Sequence, residues 1–231
     1  MSKPCAVITG ASRGIGRATA LRLAADYDIV AVARSDEALE SLAQEIEAAG
    51  GSCNPRTVDI TNPAAVTAAL SDLDAQVLVN NAGVGITKPF TELTRDEWMQ
   101  MVNVNFNALF DVTRAVLPAM VRRQSGHVVF IGSIAGRSAF VGGTCYAATK
   151  HAVMGLTESL MLELRDHGVK VSVVNPGGVA TEFSGSSSGS GASWKLAAAD
   201  VAAAVAHVLA TPPNVLVHRL EVRTLTVPKK H

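Results

Sequence analysis

The sequence predicts an α/β protein: a three-layer, doubly wound parallel sheet of about seven strands. Two observations carry this. Short apolar runs alternate with helix-length segments along almost the whole chain. Parallel strands need such crossovers, and helices supply them on both faces of the sheet. In addition, a glycine-rich turn, Gly10-Ala-Ser-Arg-Gly14-Ile-Gly16, stands directly between the first apolar run and the first helical stretch.

The elements follow in order. Cys5 to Thr9 is apolar throughout, as a strand buried on both faces is. Arg17 to Ala25 reads as a helix with Ala18, Leu21 and Ala25 on one side. Ile29 to Ala33 is the second strand. Ser35 or Asp36 caps a helix that runs to about Ala49 and stops at Gly50-Gly51. Arg56 to Val58 is a weaker third strand. Asn62-Pro63 opens the next helix with proline in its first position, and Val77 to Val79 is the fourth strand. Thr94 caps a long helical segment, Arg95 to Arg123, with room for a bend. His127 to Ile131, a helix from Tyr146 to Asp166 ending at Gly168, and Val169 to Val174 continue the alternation. After the Ser/Gly-rich stretch Ser184 to Ser193, one helix (Ala198 to Ala210) and one strand (about Val215 to Val222) remain. They are too small for a core of their own and are expected to complete the same sheet, so residues 1–231 read as one domain. The Ser/Gly-rich stretch is a candidate lid beside a site.

Bulk properties exclude several function classes. The 231 residues are 48% hydrophobic and 17% charged with a formal net charge of zero, which describes a chain able to bury a full core. Neutral balance gives no electrostatic case for nucleic acid or an anionic membrane; the basic end, Lys229-Lys230-His231, is too short to alter that. Cys5, Cys53 and Cys145 show neither paired nor metal-ligand spacing, so no metal site is expected and free thiols fit a reducing compartment. No leader-like segment is recognised, and the apolar run Leu196 to Ala210 is short and broken by Asp200 and His207. A cytoplasmic protein is expected.

Three constellations carry chemistry. Glycines at 10, 14 and 16 let the backbone turn sharply and approach a pyrophosphate, which the following helix N-terminus attracts. The second strand ends at Ala33-Arg34. An acidic residue there would suit a ribose 2′-hydroxyl, whereas Arg34 with Arg13 suits a 2′-phosphate. Finally, Tyr146 and Lys150 share a helix face at i, i+4, with Ser133 thirteen residues upstream. A neighbouring ammonium is expected to lower the phenol pKa and make Tyr146 a general acid or base, with the Ser133 hydroxyl holding a carbonyl oxygen.

Together, Thr9-Gly-Ala-Ser-Arg-Gly-Ile-Gly16, Asn80-Asn-Ala-Gly83, Ser133 with Tyr146-x3-Lys150, and Asn175-Pro-Gly-Gly-Val-Ala-Thr181 resemble the short-chain dehydrogenase/reductase family. The likeness covers nearly the whole chain. It implies a Rossmann-type sheet of strand order 3-2-1-4-5-6-7 and a nicotinamide cofactor. It implies that Tyr146 is the acid/base, that Ser133 orients the substrate oxygen, and that Lys150 binds the nicotinamide ribose and lowers the tyrosine pKa. It also implies a catalytic asparagine that holds a water linking the lysine to solvent. Alignment of Val104 to Phe110 puts that role on Asn105, with Asn103 as the neighbouring competitor. By the same resemblance Gly10, Ser12, Arg13, Gly14, Ile15, Gly16, Arg34, Asp59, Asn81, Ala82 and Gly83 hold the dinucleotide. Pro176, Gly177, Val179 and Thr181 cover its nicotinamide end.

The arginine pattern resembles NADP-preferring members, with NAD as the less favoured cofactor. The segment after Thr181 and the ending Glu221 to Pro228 depart from the family pattern, so neither the substrate nor the choice between homodimer and homotetramer can be read from them. The expected function is NADP(H)-dependent interconversion of a small-molecule carbonyl and alcohol. An NAD(H)-linked alcohol dehydrogenase and a non-catalytic dinucleotide-binding sensor or scaffold stand as alternatives. The joint presence of Ser133, Tyr146 and Lys150 speaks against the last.

Overall fold

A computed structural model describes residues 3–181 and 194–226. The Ser/Gly-rich stretch 184–193 and its expected role as a lid therefore lie outside the described residues. Seven parallel strands form one sheet: β1 (Cys5–Thr9), β2 (Asp28–Ala33), β3 (Cys53–Thr57), β4 (Ala75–Asn80), β5 (Gly126–Ile131), β6 (Val169–Pro176) and β7 (Arg219–Val222). Their order is β3-β2-β1-β4-β5-β6-β7, as expected. The helices are α1 (Gly14–Leu23), α2 (Asp36–Ala48), α3 (Pro63–Leu70), α4 (Arg95–Val102), α5 (Ala108–Arg123), α6 (Thr144–Leu164) and α7 (Ala198–Leu209).

Both sheet faces are covered, which is why the strands are apolar on both sides. One core packs Ala6, Ile8, Ile29 and Val129 against Leu23, Leu39, Leu42 and Val205. The other packs Val7, Leu78, Val128 and Phe130 against Val66, Val112, Val116 and Val153. The last helix and strand complete this sheet, with β7 pairing along β6.

The differences from the sequence reading have local causes. Helix α1 starts at Gly14 rather than Arg17, because its first turn is glycine-rich and hides from a search for apolar periodicity. Strand β3 spans Cys53–Thr57 despite Pro55. It lies at the sheet edge, where a missing N–H costs no ladder bond. The bend expected in the long helix is a single π-helical turn, Asn103–Asn107, that separates α4 from α5. Thr94 caps α4 in a capping box with Glu97. Helix α6 begins two residues early and closes through a 3-10 turn to Gly168, which sits at φ +69°. Strand β7 is shorter than expected, since Val215 is used in a turn onto the Pro212 carbonyl.

Between β5 and β6 a buried polar pair joins the strands. Ser172 Oγ donates to the Val217 carbonyl (2.7 Å), so His127 Nε2 donates to Ser172 Oγ (2.8 Å). Burial, aided by the charge of Lys170, holds the imidazole pKa down at about 4. A histidine whose folded pKa is depressed contributes stability that is fully present above its unfolded value near 6.5. That contribution is lost as pH falls toward 4, because only the unfolded chain takes up the proton. Urea titrations at pH 7 and pH 4.5 are expected to show the wild type losing roughly 2–3 kcal/mol more between the two pH values than His127→Gln, which keeps a donor but does not titrate. Equal losses in the two proteins would show that His127 takes no part in acid sensitivity.

Candidate active site

At the carboxyl ends of the strands, where the order reverses about β1, lies a cleft of about 1000 Å³. Ligands of doubly wound sheets bind at such a switch point. Its floor is set by hydrogen bonds between the ends of β1 and β4. Thr9 Oγ1 accepts from the backbone N–H groups of Asn81 and Ala82, both at 3.1 Å. Asn81 Nδ2 donates back to the carbonyls of Thr9 (2.9 Å) and Gly10 (3.2 Å).

The glycine turn fits a dinucleotide phosphate. Gly10 (φ +66°) and Gly14 (φ +55°) adopt the left-handed backbone that glycine tolerates. A Cβ on Gly10 would stand 2.9 Å from Ala82 Cα and Asn81 Nδ2. Gly16 does not line the cleft but lies behind it, where a Cβ would stand 2.2 Å from the Gly10 carbonyl oxygen. Its absence of side chain is what lets α1 enter so close beneath the turn. Arg13, the residue before α1, is extended and makes no side-chain cap, so the first-turn N–H groups remain available to an anion.

All the other expected cofactor residues line the cleft. They are Gly10, Ser12, Arg13, Gly14, Ile15, Arg34, Asp59, Asn81, Ala82, Gly83, Pro176, Gly177, Val179 and Thr181. Arg34 and Asp59 are exposed at one end. Hydrogen bonds from Thr61 N–H and hydroxyl, with the charge of Arg34 adding to them, hold the Asp59 carboxyl below its usual range.

Ser133, Tyr146 and Lys150 meet on one wall. Ser133 follows β5 and is held by its N–H to Asn175 Oδ1 (3.1 Å) at the end of β6. Its hydroxyl accepts from Ala135 N–H (3.1 Å) and is hydrogen-bonded to Tyr146. Lys150 is buried, and its ammonium donates to the Ile131 carbonyl (2.9 Å). Burial lowers its pKa to about 8.

The expected lowering of the Tyr146 pKa is not met. Burial raises it, outweighing the downward pull of the Ser133 hydrogen bond. The Lys150 ammonium is bound to Ile131 and lies 5.8 Å from the tyrosine ring centroid. The side chain of Asn105, the residue expected to hold a water beside the lysine, is not part of the cleft lining. It is buried in the π turn and fully engaged. Asn105 Oδ1 accepts from Val84 N–H (2.8 Å), and Nδ2 donates to the Val84 carbonyl (2.9 Å) and Thr149 Oγ1 (3.2 Å). Asn103 lines the cleft instead.

Sequence reasoning missed Thr9 and Asn175 as the residues that position the walls, although both lie inside quoted motifs. It also missed Phe140, Gln100 and Lys195, which line the cleft and which no spacing singles out. No group of three or more His, Cys, Asp or Glu suited to a metal occurs among the described residues.

The comparisons agree with this geometry. The family model described as short chain dehydrogenase matches residues 4–190. The NADP-dependent 3-hydroxy acid dehydrogenase of Schizosaccharomyces pombe is 35% identical over 187 residues, 77% of this chain and 72% of that protein. The 3-oxoacyl-(acyl-carrier-protein) reductase FabG of Escherichia coli is 32% identical over 184 residues, 77% of this chain and 74% of that one. Among solved structures, the closed form of serine dehydrogenase complexed with NADP+ superposes with a TM-score of 0.89 at 30% identity, covering 98% of this chain and 99% of that one. A metagenomic short-chain oxidoreductase in complex with NADP gives 0.84 at 32% identity, with the same coverage. With its motifs assembled around one cleft and its family match spanning most of its length, the chain belongs to the short-chain dehydrogenase/reductase family of oxidoreductases.

Proposed function

We propose that this enzyme interconverts a small-molecule carbonyl and an alcohol with NADP(H), and that Tyr146 carries the proton. The observation that carries the reading is the meeting of Ser133, Tyr146 and Lys150 on one wall of the cleft that also holds the glycine turn. In this reading the turn from Gly10 to Gly16 and the start of α1 hold the pyrophosphate. Asp59 and Asn81 to Gly83 flank the adenosine side, and Pro176, Gly177, Val179 and Thr181 cover the nicotinamide side. Arg13 and Arg34 hold the 2′-phosphate, and the NADP-bound structural neighbours support that choice. Bound there, NADP(H) supplies or accepts the hydride at the carbonyl carbon.

The chain's own groups do the rest. The Ser133 hydroxyl holds the substrate oxygen. Tyr146 gives its phenolic proton to that oxygen in reduction and takes it back in oxidation. A raised pKa keeps the phenol protonated at neutral pH, the state that reduction requires. Lys150, with a pKa of about 8, is still mostly an ammonium at pH 7 and favours the phenolate once the proton has left. Asn105 acts as a positioning residue, tying the π turn to Val84 and to Thr149, the neighbour of Lys150.

Two further parts of the reading have support. The apolar groove between α5 and α6, lined by Leu109, Phe110, Leu117, Leu156 and Leu160, fits a homodimer or homotetramer built on these helices. The three cysteines are free, and burial pushes the Cys5 and Cys53 thiols up to about 11, which fits a cytoplasmic protein. No helix of the described residues is long and apolar enough to cross a membrane.

Two measurements test the core of this reading. Tyr146→Phe is expected to keep NADPH affinity while turnover on a panel of ketones and aldehydes falls at least about 100-fold, the usual scale of general acid catalysis. Near-normal turnover would remove Tyr146 from the chemistry. Separately, Arg34→Asp should weaken NADPH binding at least about 10-fold, the scale of one lost charge-assisted contact, and leave NADH binding within about threefold. Fluorescence titration reads both constants, and equal weakening would leave the 2′-phosphate without its partner.

A further inference from the structure

We infer that Phe140 selects the substrate: its ring forms an aromatic face beside Tyr146 that accepts carbonyl compounds carrying a phenyl or comparable flat apolar substituent. This rests on the carbonyl chemistry proposed for Tyr146 and names the class of substrate that chemistry serves.

The position of the ring is the first observation. Phe140 lines the cleft, and its centroid stands 6.4 Å from that of Tyr146 with the planes inclined at 61°. That is the edge-to-face arrangement aromatic pairs prefer. The ring is also fixed from behind. It lies over Gly143, where a Cβ would meet ring atoms at 2.5–2.7 Å. Gly143 immediately precedes α6, the helix that carries Tyr146. One more contact holds the segment from the other side: Lys88 N–H donates to the Gly142 carbonyl (3.1 Å), and Gly142 takes φ +79°. The aromatic face is thus built into the start of the helix that carries the reacting hydroxyl. A preorganised face of this kind loses little freedom on binding.

Its exposure is the second observation. Phe140 remains 45% exposed although it sits at the site, and the next residue, Val141, is 100% exposed. The segment that carries them is tied to residue 88 by the Lys88–Gly142 hydrogen bond. Exposed aromatic surface at a cleft mouth gains free energy when a ligand covers it.

Charge is the third. The lining contributed by residues 84–104 and 138–146 contains no charged side chain. Nearby Lys88 is paired with Glu97. A charged substituent on the carbonyl would meet no ionic partner on this wall, whereas an uncharged one needs none.

The test compares two substrates with NADPH, a phenyl ketone and a four-carbon aliphatic ketone, and reads the ratio of their kcat/KM values. The unmodified enzyme is expected to favour the phenyl ketone. Phe140→Ala should lower that ratio 10–100-fold, the range a hydrophobic contact gives in discrimination, and Phe140→Tyr should restore it to within threefold of the unmodified value. A ratio unchanged in Phe140→Ala overturns the proposal, because the variant has then lost activity on both substrates alike or on neither. A preference of the unmodified enzyme for the four-carbon ketone overturns it as well, with the chemistry of Tyr146 left standing. Turnover of neither ketone, nor of any other carbonyl in a broad panel, overturns it together with the carbonyl reading on which it rests.

Discussion

The site depends on a small polar knot between the ends of β1 and β4. Asn81 Nδ2 donates to the carbonyls of Thr9 and Gly10, and Thr9 Oγ1 receives the N–H groups of Asn81 and Ala82. Where β1 ends, the chain must leave the sheet, turn through positive φ at Gly10 and enter α1. Carbonyls at such a turn have no ladder partner, and a buried one left unpaired costs about 1–3 kcal/mol. Asparagine supplies the missing donor from the neighbouring strand. The arrangement works only without side chains at two places, because a Cβ at Gly10 or Gly16 would occupy the space of Asn81 Nδ2 itself. The glycine turn and Asn81 are therefore one structural unit, although they are about seventy residues apart in sequence.

A parallel knot holds the wall that carries Ser133. Asn175, at the end of β6, accepts the Ser133 N–H, and a Cβ on Gly132 would stand 2.1 Å from its Oδ1. Asn105 closes a third, gripping both backbone groups of Val84. In each case an asparagine, half-buried at Asn81 and buried at Asn105 and Asn175, satisfies backbone groups at or just past a strand end. The cleft can thus be built from loops and still hold its groups in place, since each loop is tied by a side chain to a neighbouring element.

Much of this was legible in the sequence, and the reason is physical. Strand runs buried on both faces must be apolar, so Cys5–Thr9, Asp28–Ala33 and Gly126–Ile131 were visible to within a residue. Turns that need positive φ or close approach need glycine, so the phosphate end was visible too. What stayed hidden depends on tertiary direction. A run of residues shows that an asparagine is present, not which way a π turn points it, and the Asn105 side chain bonds to Val84 and is not part of the cleft lining. The edge strand β3 was blurred because Pro55 is tolerated only at an edge, and edge position follows from topology. Phe140 lay between two motifs with nothing in its spacing to mark it.

The pKa of Tyr146 shows the same limit from the electrostatic side. Spacing alone places a lysine beside a tyrosine and implies a lowered phenol. Burial acts first, however, and pushes both groups toward their neutral forms, the phenol up and the ammonium down. The two effects are unequal in consequence. The phenol starts near 10, so raising it only confirms the proton it already holds at pH 7. The lysine starts near 10.5, so lowering it to about 8 still leaves the charge mostly in place. In the reading proposed for Tyr146, the wall therefore rests with its acid loaded and a cation behind it. In this state a carbonyl oxygen that gains negative charge finds a proton at hand, whereas an alcohol must wait for the phenol to lose one. On that proposed reading, the same burial that fixes the geometry favours the protonated phenol and hence the acid's role.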